Sequence, residues 1–410
     1  MPRDFAWLWG AHGVSVFGSL VTRAALPFTA ALALNATAAQ MAVLGAADLV
    51  ASLLVGWWAG AWVDRVRRRP LLIGCDIARA LLLATVPIAA LLGRLDLTLL
   101  IGVKFFAGAF DTLFDLARQA YVPSVVGERR LVEANARLSA TSSAAEVSAF
   151  GVAGWLVQWL TGPIAIAVDA VSFVVSAALL GGIRQPESPP ARAPVRSTLS
   201  SWWAELREGL AATFGDPLQR ALAFGDAMLN LTFGLFTACY VLFVTRDLAL
   251  APGPLGLVFA VGGVSGLVAA TFAPALGHTL GVGRAMVLGL LISSVGLAVT
   301  VFAPAVNIPL ALALLVSQQL VGDGGWALYM IHSSSLRMAR APEALRGRIG
   351  AASGMLSVAG RLIGIVLGGV FGDSVGARGV LGVGAAVTLL AGVGLLRSVV
   401  GRQRDTLAAS

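Results

Sequence analysis

The sequence predicts an all-α membrane protein with about twelve transmembrane helices. Three observations carry that expectation: composition, recurring long apolar runs, and the placement of the arginines. The chain has 410 residues, of which 58% are hydrophobic and only 12% charged, with a mean hydropathy of +0.85. A water-soluble domain carries about 25% charged residues, so one large soluble core is excluded. Apolar runs of about 20 residues or more recur along the whole chain, the length a helix needs to cross a bilayer. The 48 glycines agree, because close helix packing in lipid uses small residues.

Taken in order, the runs lie near 5–34, 41–63, 71–93, 97–120, 134–160, 163–183, 218–245, 252–280, 283–303, 307–337, 347–372 and 377–397. The first, Phe5–Leu34, is too long for a cleaved signal peptide and lacks its basic leader and small-residue cleavage site, so it reads as a retained helix. Pro27 in the first span and Pro274 in the eighth are candidate kinks. After the sixth span comes the longest connection, Arg184–Pro217, with Pro186, Pro189, Pro190 and Pro194, a flexible linker by composition. Within it Ser200–Leu210 is amphipathic, with Trp202 and Trp203 set against Glu205, Arg207 and Glu208, as in a helix lying at a membrane interface. The linker divides the chain into six-span halves at 1–183 and 218–410, joined by 184–217.

The net charge of +8 would point to nucleic acid in a soluble protein. Here the arginines sit in alternate loops. One set carries Arg65, Arg67, Arg68 and Arg69, then Arg129, Arg130 and Arg137, then Arg184 through Arg220, Arg284, Arg337 through Arg348, and the tail; the other carries only Arg94, Arg246 and Arg378. That asymmetry sets topology. It places both termini in the cytoplasm and removes nucleic acid as a partner. Cys75 and Cys239 both lie in apolar runs, without metal or disulfide spacing. No nucleophile motif or P-loop is present, so an enzyme and a cofactor are not expected.

The second loop reads Gly60-Ala61-Trp62-Val63-Asp64-Arg65-Val66-Arg67-Arg68-Arg69-Pro70. It resembles the major facilitator signature Gly-x-Leu-Ala-Asp-Arg-x-Gly-Arg-Arg through Gly60, Asp64, Arg65, Arg68 and Arg69, with Trp62 in place of the leucine and Arg67 in place of the second glycine. Asp76-Ile77-Ala78-Arg79-Ala80, Phe114-Asp115-x-Ala117-Arg118-Gln119-Ala120, Ala134-Asn135 and Asp169-Ala170-x-Ser172-Phe173-x-x-Ser176-Ala177 resemble one bacterial branch of that family, which includes macrolide-efflux-type pumps and the enterobactin exporter. The resemblance covers essentially the whole chain. It implies a major facilitator fold: two pseudo-symmetric six-helix bundles around a central cavity, in a protein that functions as a monomer. It further implies that Asp64 meets the start of the eleventh span, near Arg348–Ser353, with Arg118 nearby, as a gate on the cytoplasmic side. Gly60 would allow neighbouring helices to approach.

In the fourth span Lys104, Gly108, Asp111, Asp115 and Arg118 share one helical face. Ionisable groups in lipid face a bundle interior or an aqueous cavity. Lys104 resembles a basic residue linked in relatives to proton movement; otherwise it forms a structural pair, for example with Asp111. Carboxylates held in apolar surroundings favour the protonated form, which makes Asp111, Glu146 and Asp323 the candidate proton carriers. Arg23, Asp226, Asn230, Phe233, Trp326, Tyr329 and Arg361 are candidates for contact with substrate. The charges among them are equally read as interhelical ion pairs, and the rings as packing. The fifth span reads Ala149-Phe150-Gly151-Val152-Ala153-Gly154, without the proline of the family's antiporter signature. Gly360, Gly364 and Gly368 suit tight packing of the eleventh span.

The expected function is proton-coupled efflux, by alternating access, of a small hydrophobic or amphipathic compound such as a drug, antibiotic or siderophore. An uncoupled facilitator or importer of a small metabolite is the alternative, and a non-transporting membrane sensor or assembly factor the alternative from another class.

Overall fold

The structure, a computed structural model, describes residues 1–185, 187 and 199–401. All of its regular elements are helical. They are α1 (Arg3–Phe28), α2 (Ala38–Val63), α3 (Arg68–Leu91), α4 (Leu97–Val126), α5 (Leu131–Leu160), α6 (Gly162–Gly181), α7 (Leu199–Gly215), α8 (Pro217–Leu242), α9 (Pro252–Leu280), α10 (Val282–Val301), α11 (Ile308–Gln318), α12 (Gly324–Arg340), α13 (Arg346–Val375) and α14 (Ala377–Arg397). Three π-helical turns accompany them: Thr29–Ala33 extends α1, Phe243–Asp247 extends α8, and Gln319–Asp323 joins α11 to α12. Each of the twelve predicted spans is helical. Among the described residues, ten helices are long and apolar enough to cross a membrane. The fifth and tenth spans fall short for a chemical reason. α5 carries Arg137, Thr141, Ser142, Ser143 and Glu146, and α12 carries His332, Ser333, Ser334, Ser335 and Arg337.

The chain forms two compact units: Met1–Ala36 with Val43–Arg196 and Ala251–Ala260, and Thr37–Ala42 with Ser197–Leu250 and Val261–Ser410. In the first unit α1 and α3 both pack on α6, and α4 packs on α3. Its core holds Phe5, Leu8, Leu72, Phe114, Tyr121, Leu138 and Leu180. In the second unit α8 lies along α13 and α14, and α10 along α12 and α14, around Leu222, Met286, Leu290, Tyr329 and Leu395. Large apolar side chains also face outward, among them Leu81, Leu91, Val171 and Leu390. That arrangement suits lipid as the solvent: helices satisfy their own backbone polar groups, and apolar atoms need no cover.

The ends of α1 and α8 repeat one another. Beyond the π turn Thr29–Ala33, Asn35 takes a left-handed conformation (φ 50) and the Ala36 amide donates back to the Ala30 carbonyl. Beyond Phe243–Asp247, Ala249 takes φ 51 and the Leu250 amide donates to the Val244 carbonyl. The residues correspond one for one. The ends of α5 and α13 match in the same way, each closed by a left-handed residue, Thr161 (φ 76) and Gly376 (φ 85).

The amphipathic stretch predicted at Ser200–Leu210 is helical within α7. Trp203 is half exposed and Leu206 buried. Glu208 receives a hydrogen bond from Arg348 at 2.6 Å, and a Cβ on Gly209 would stand 3.0 Å from the Arg348 carbonyl carbon. α7 therefore docks on the first turn of α13. Pro186, Pro189, Pro190 and Pro194 lie outside the described residues.

Candidate functional site

The motifs that resemble the efflux branch converge on one buried side chain, Arg79 of α3, which is 2% exposed. Its guanidinium donates from one nitrogen to Asp76, one turn earlier on α3, and from the other to Asp111 of α4. Its carbon stands 4.5 Å over the ring of Phe114 (α4) and 4.1 Å over that of Phe173 (α6). A planar, forked cation suits that double task, bridging two carboxylates and stacking on two rings. Asp169, one turn before Phe173 on α6, is buried and receives the Ser172 hydroxyl at 2.9 Å. A Cβ on Gly18 of α1 would collide with Asp169 and Ser172, so only glycine leaves room for them. Two carboxylates thus share one guanidinium inside the first unit. Asp76 is fully covered, whereas the Asp111 side chain is 52% exposed.

The polar face of α4 finds its partners on other helices. Lys104 forms a structural pair with Asp48 of α2 at 3.3 Å, and Asp111 pairs with Arg79. Gly108 lets α2 approach: a Cβ there would stand 2.9 Å from the Cα of Asp48. Arg118 bonds to Asp115 on its own helix at 3.0 Å.

In the second loop Asp64 is 69% exposed and lies 3.9 Å from Arg68, while Arg65 is exposed. Among the described residues no atom lies within 4 Å of a Cβ placed on Gly60. Arg68 and Arg69 open α3, and their amides donate to the two carboxylate oxygens of Glu187 at 2.6 and 3.2 Å. A carboxylate at a helix N-terminus satisfies unpaired amides and offsets the basic side chains gathered there. Arg69 in turn donates to the Leu180 and Gly181 carbonyls, capping the end of α6.

Asp226 and Tyr329, read as ligand contacts or as an ion-pair partner and packing, are 4% and 0% exposed in a closed network of the second unit. Asp226 receives the Tyr329 hydroxyl at 2.7 Å, the Ser333 hydroxyl at 3.0 Å, and Arg337. Arg337, expected among the loop arginines, is buried in the last turn of α12. Asn230 donates to the Asp226 carbonyl at 2.9 Å. Replacing Asp226 with alanine strands a buried guanidinium and is expected to cost about 3–5 kcal/mol. Thermal unfolding in detergent would measure the loss, and Asp226→Asn, which keeps both hydroxyl partners, should lose less.

The remaining candidates are more open. Phe233 is 47% exposed beneath the Arg361 guanidinium, 4.5 Å from its ring centre, and Trp326 is 42% exposed. Asp323, at the end of the π turn, receives Gln318 at 3.4 Å. Glu146 on α5 and Arg23 on α1 are exposed. In the sequence Asp76, Arg79 and Asp169 stand out only as parts of the family pattern. The readable signal was an aspartate and an arginine one helical turn apart within an apolar run.

Residues 8–245 match the Major Facilitator Superfamily. The multidrug efflux pump Tap of Mycolicibacterium fortuitum is 28% identical over 370 residues, 88% of this chain and 87% of the pump. A solved bacterial homologue of the iron transporter ferroportin, in an inward-facing state, superposes with a TM-score of 0.74 at 21% identity, covering 96% of this chain and 98% of its own. The nucleoside transporter NupG superposes with a TM-score of 0.73 at 14% identity, with the same coverage. At those identities the two structures show a shared fold.

Proposed function

The chain belongs to the major facilitator superfamily, a multi-pass secondary transporter and not an enzyme, and on that premise we propose that it exports a small hydrophobic or amphipathic compound against an inward flow of protons. The similarity to Tap along most of both chains supports efflux of this substrate class. The observation that carries proton coupling is the uneven pair around Arg79: Asp76 is covered and Asp111 half exposed, both bound to one guanidinium.

Two carboxylates on one guanidinium in an apolar unit carry excess negative charge, which favours uptake of a proton. Asp111 is the group that a proton can reach. A proton on its oxygen removes the charge that holds Arg79, and the guanidinium is then left to Asp76. Loss of the proton restores the bridge between α3 and α4. This exchange ties protonation to the packing of two helices. Lys104, paired with Asp48, ties α4 to α2 on the same face. In this reading Glu146 and Asp323 are secondary carriers. Arg23, Trp326, Phe233 and Arg361 supply charge and aromatic contact to a substrate.

We also read the arginine-rich loops as cytoplasmic, with both termini on that side, and the protein as working as a monomer. Asp64, exposed at the end of α2, then serves with Gly60, Arg65, Arg68, Arg69 and Arg118 as the cytoplasmic gate.

The test is ethidium efflux driven by an imposed pH gradient in membrane vesicles. Asp111→Asn is expected to lower gradient-driven efflux at least about tenfold, the equivalent of about 1.4 kcal/mol. Efflux by Asp111→Asn that still follows the pH gradient would sink the coupling role.

A further inference from the structure

The transport reading leaves α7 without a task. Its position is fixed by two neighbours in the same compact unit. Asp216 alone separates α7 from α8. The Asp216 carboxylate receives the Leu218 and Gln219 amides at 2.7 and 3.1 Å, which sets the corner between the two helices. α8 opens a membrane-crossing segment, Pro217–Asp247, and α13 belongs to another, Glu343–Val375. α7 packs on both. A helix seated against the first turns of two spans lies where the chain leaves the hydrocarbon.

Three sides of α7 differ in chemistry. Leu206, Gly209 and Thr213 recur at helical spacing and are buried. Gly209 meets the Arg348 backbone, and the Thr213 hydroxyl is spent on the Gly209 carbonyl at 2.8 Å. Trp203, Arg207, Leu210 and Phe214 recur at the same spacing beside that buried side. Trp203 is 50% and Phe214 49% exposed, Arg207 is exposed and Leu210 half-buried. Glu205 and Glu208 lie on the side opposite this aromatic face, and Glu208 is bonded to Arg348. A second guanidinium stands at the aromatic face: exposed Arg220 of α8 donates to the Phe214 carbonyl at 3.4 Å, at the negative end of α7.

We propose that α7 is a lipid-binding helix selective for acidic phospholipids. Trp203, Leu210 and Phe214 seat in the bilayer surface, and Arg207 and Arg220 hold headgroup phosphates. Indole and phenyl rings suit the boundary between headgroup and acyl chain. A guanidinium matches a phosphate with two parallel donors. The acidic residues point away, so an anionic surface is met by cations alone on this face. The proposal rests on the chain lying in a bilayer, and on no particular substrate or coupling ion.

The test is hydrogen–deuterium exchange of the full-length chain in nanodiscs of phosphatidylcholine, with and without phosphatidylglycerol. Exchange of residues 203–214 is expected to slow in the acidic lipid, by about fivefold for each arginine at the surface. Arg207→Gln should lose about fivefold of that slowing and exchange as the wild type in phosphatidylcholine. Arg207→Lys should stay within about twofold of the wild type in both lipids, because the charge remains. With Arg207→Gln and Arg220→Gln together, the two lipids should give the same exchange. Equal exchange of the wild-type segment in the two lipids would overturn the proposal. So would an Arg207→Gln effect of the same size in both lipids, which would make Arg207 a structural residue, and so would a slowing shared by every helix end of the chain. Ethidium efflux is not measured, so failure of the export reading and failure of the lipid site are distinguishable.

Discussion

Arg79→Met is expected to unfold the first unit more readily by about 3–5 kcal/mol and to abolish ethidium efflux. The side chain keeps an apolar stem and loses its charge. Asp76, with no exposure of its own, is then left as a buried carboxylate without its cation, and breaking one side of a buried pair costs that much because the other charge stays behind. The rings of Phe114 and Phe173 lose the cation they stack on. Arg79→Lys should recover only part, because one ammonium cannot fork between two carboxylates while lying flat between two rings. The triple change Arg79→Met, Asp76→Asn, Asp111→Asn separates stability from function. It removes both carboxylates that Arg79 bonds and is expected to restore most of the melting temperature while efflux stays absent. Thermal unfolding in detergent and ethidium efflux on the same three proteins give the comparison. A single Arg79→Met that melts with the wild type would count against the cluster as a structural hub.

The second large effect is expected at Gly364. α8 and α13 run backbone to backbone. A Cβ at Gly364 would overlap the Leu231 carbonyl oxygen and stand 2.8 Å from its carbon and 3.0 Å from its Cα. Gly360 faces the Ala227 backbone, and Gly234 of α8 faces Arg361 and Gly364 in return. The obstacles are main chain, which no rotamer change relieves. Gly364→Leu is therefore expected to cost about 3 kcal/mol or more, the upper end for overpacking. It should appear as loss of monodisperse protein on size-exclusion chromatography. Gly354, with nothing within 4 Å of an added Cβ, is the matched control, and Gly354→Ala should behave as wild type.

The fold was legible because lipid imposes a strong constraint: a helix must be long and apolar to cross it. All twelve spans were visible for that reason, as was the packing role of Gly360, Gly364 and Gly368. The partners of the charged residues were not. Helical periodicity groups Lys104 with Asp111 on one face, but a face has neighbours on other helices. Asp48 and Arg79, each remote in sequence, are the ones in reach. Intramembrane charge marked Asp226 as a ligand contact or as half of an interhelical ion pair. An ion pair is what the structure holds, and Arg337, taken for a loop residue, completes it. Glu187, Gln158 and Asp373 left no trace in the sequence. Each caps a helix from another element, and such contacts have no characteristic spacing.

The bond between Ala38 and Asp373 joins residues 335 apart. A ribosome adds about 5–20 residues per second, so the acceptor is made some tens of seconds after the donor, on the order of 15–70 s by that rate. Through that interval α2 is already made while two amides at its tip wait for a partner. The capping box from Thr37 and Gln40 is made within the same few residues and holds the turn from the start. Gly253 and Gln158 are only 95 residues apart, so their contact is available far earlier. The two contacts are thus set at different times. The newborn protein passes through a stage in which one contact can form and the other still lacks its acceptor.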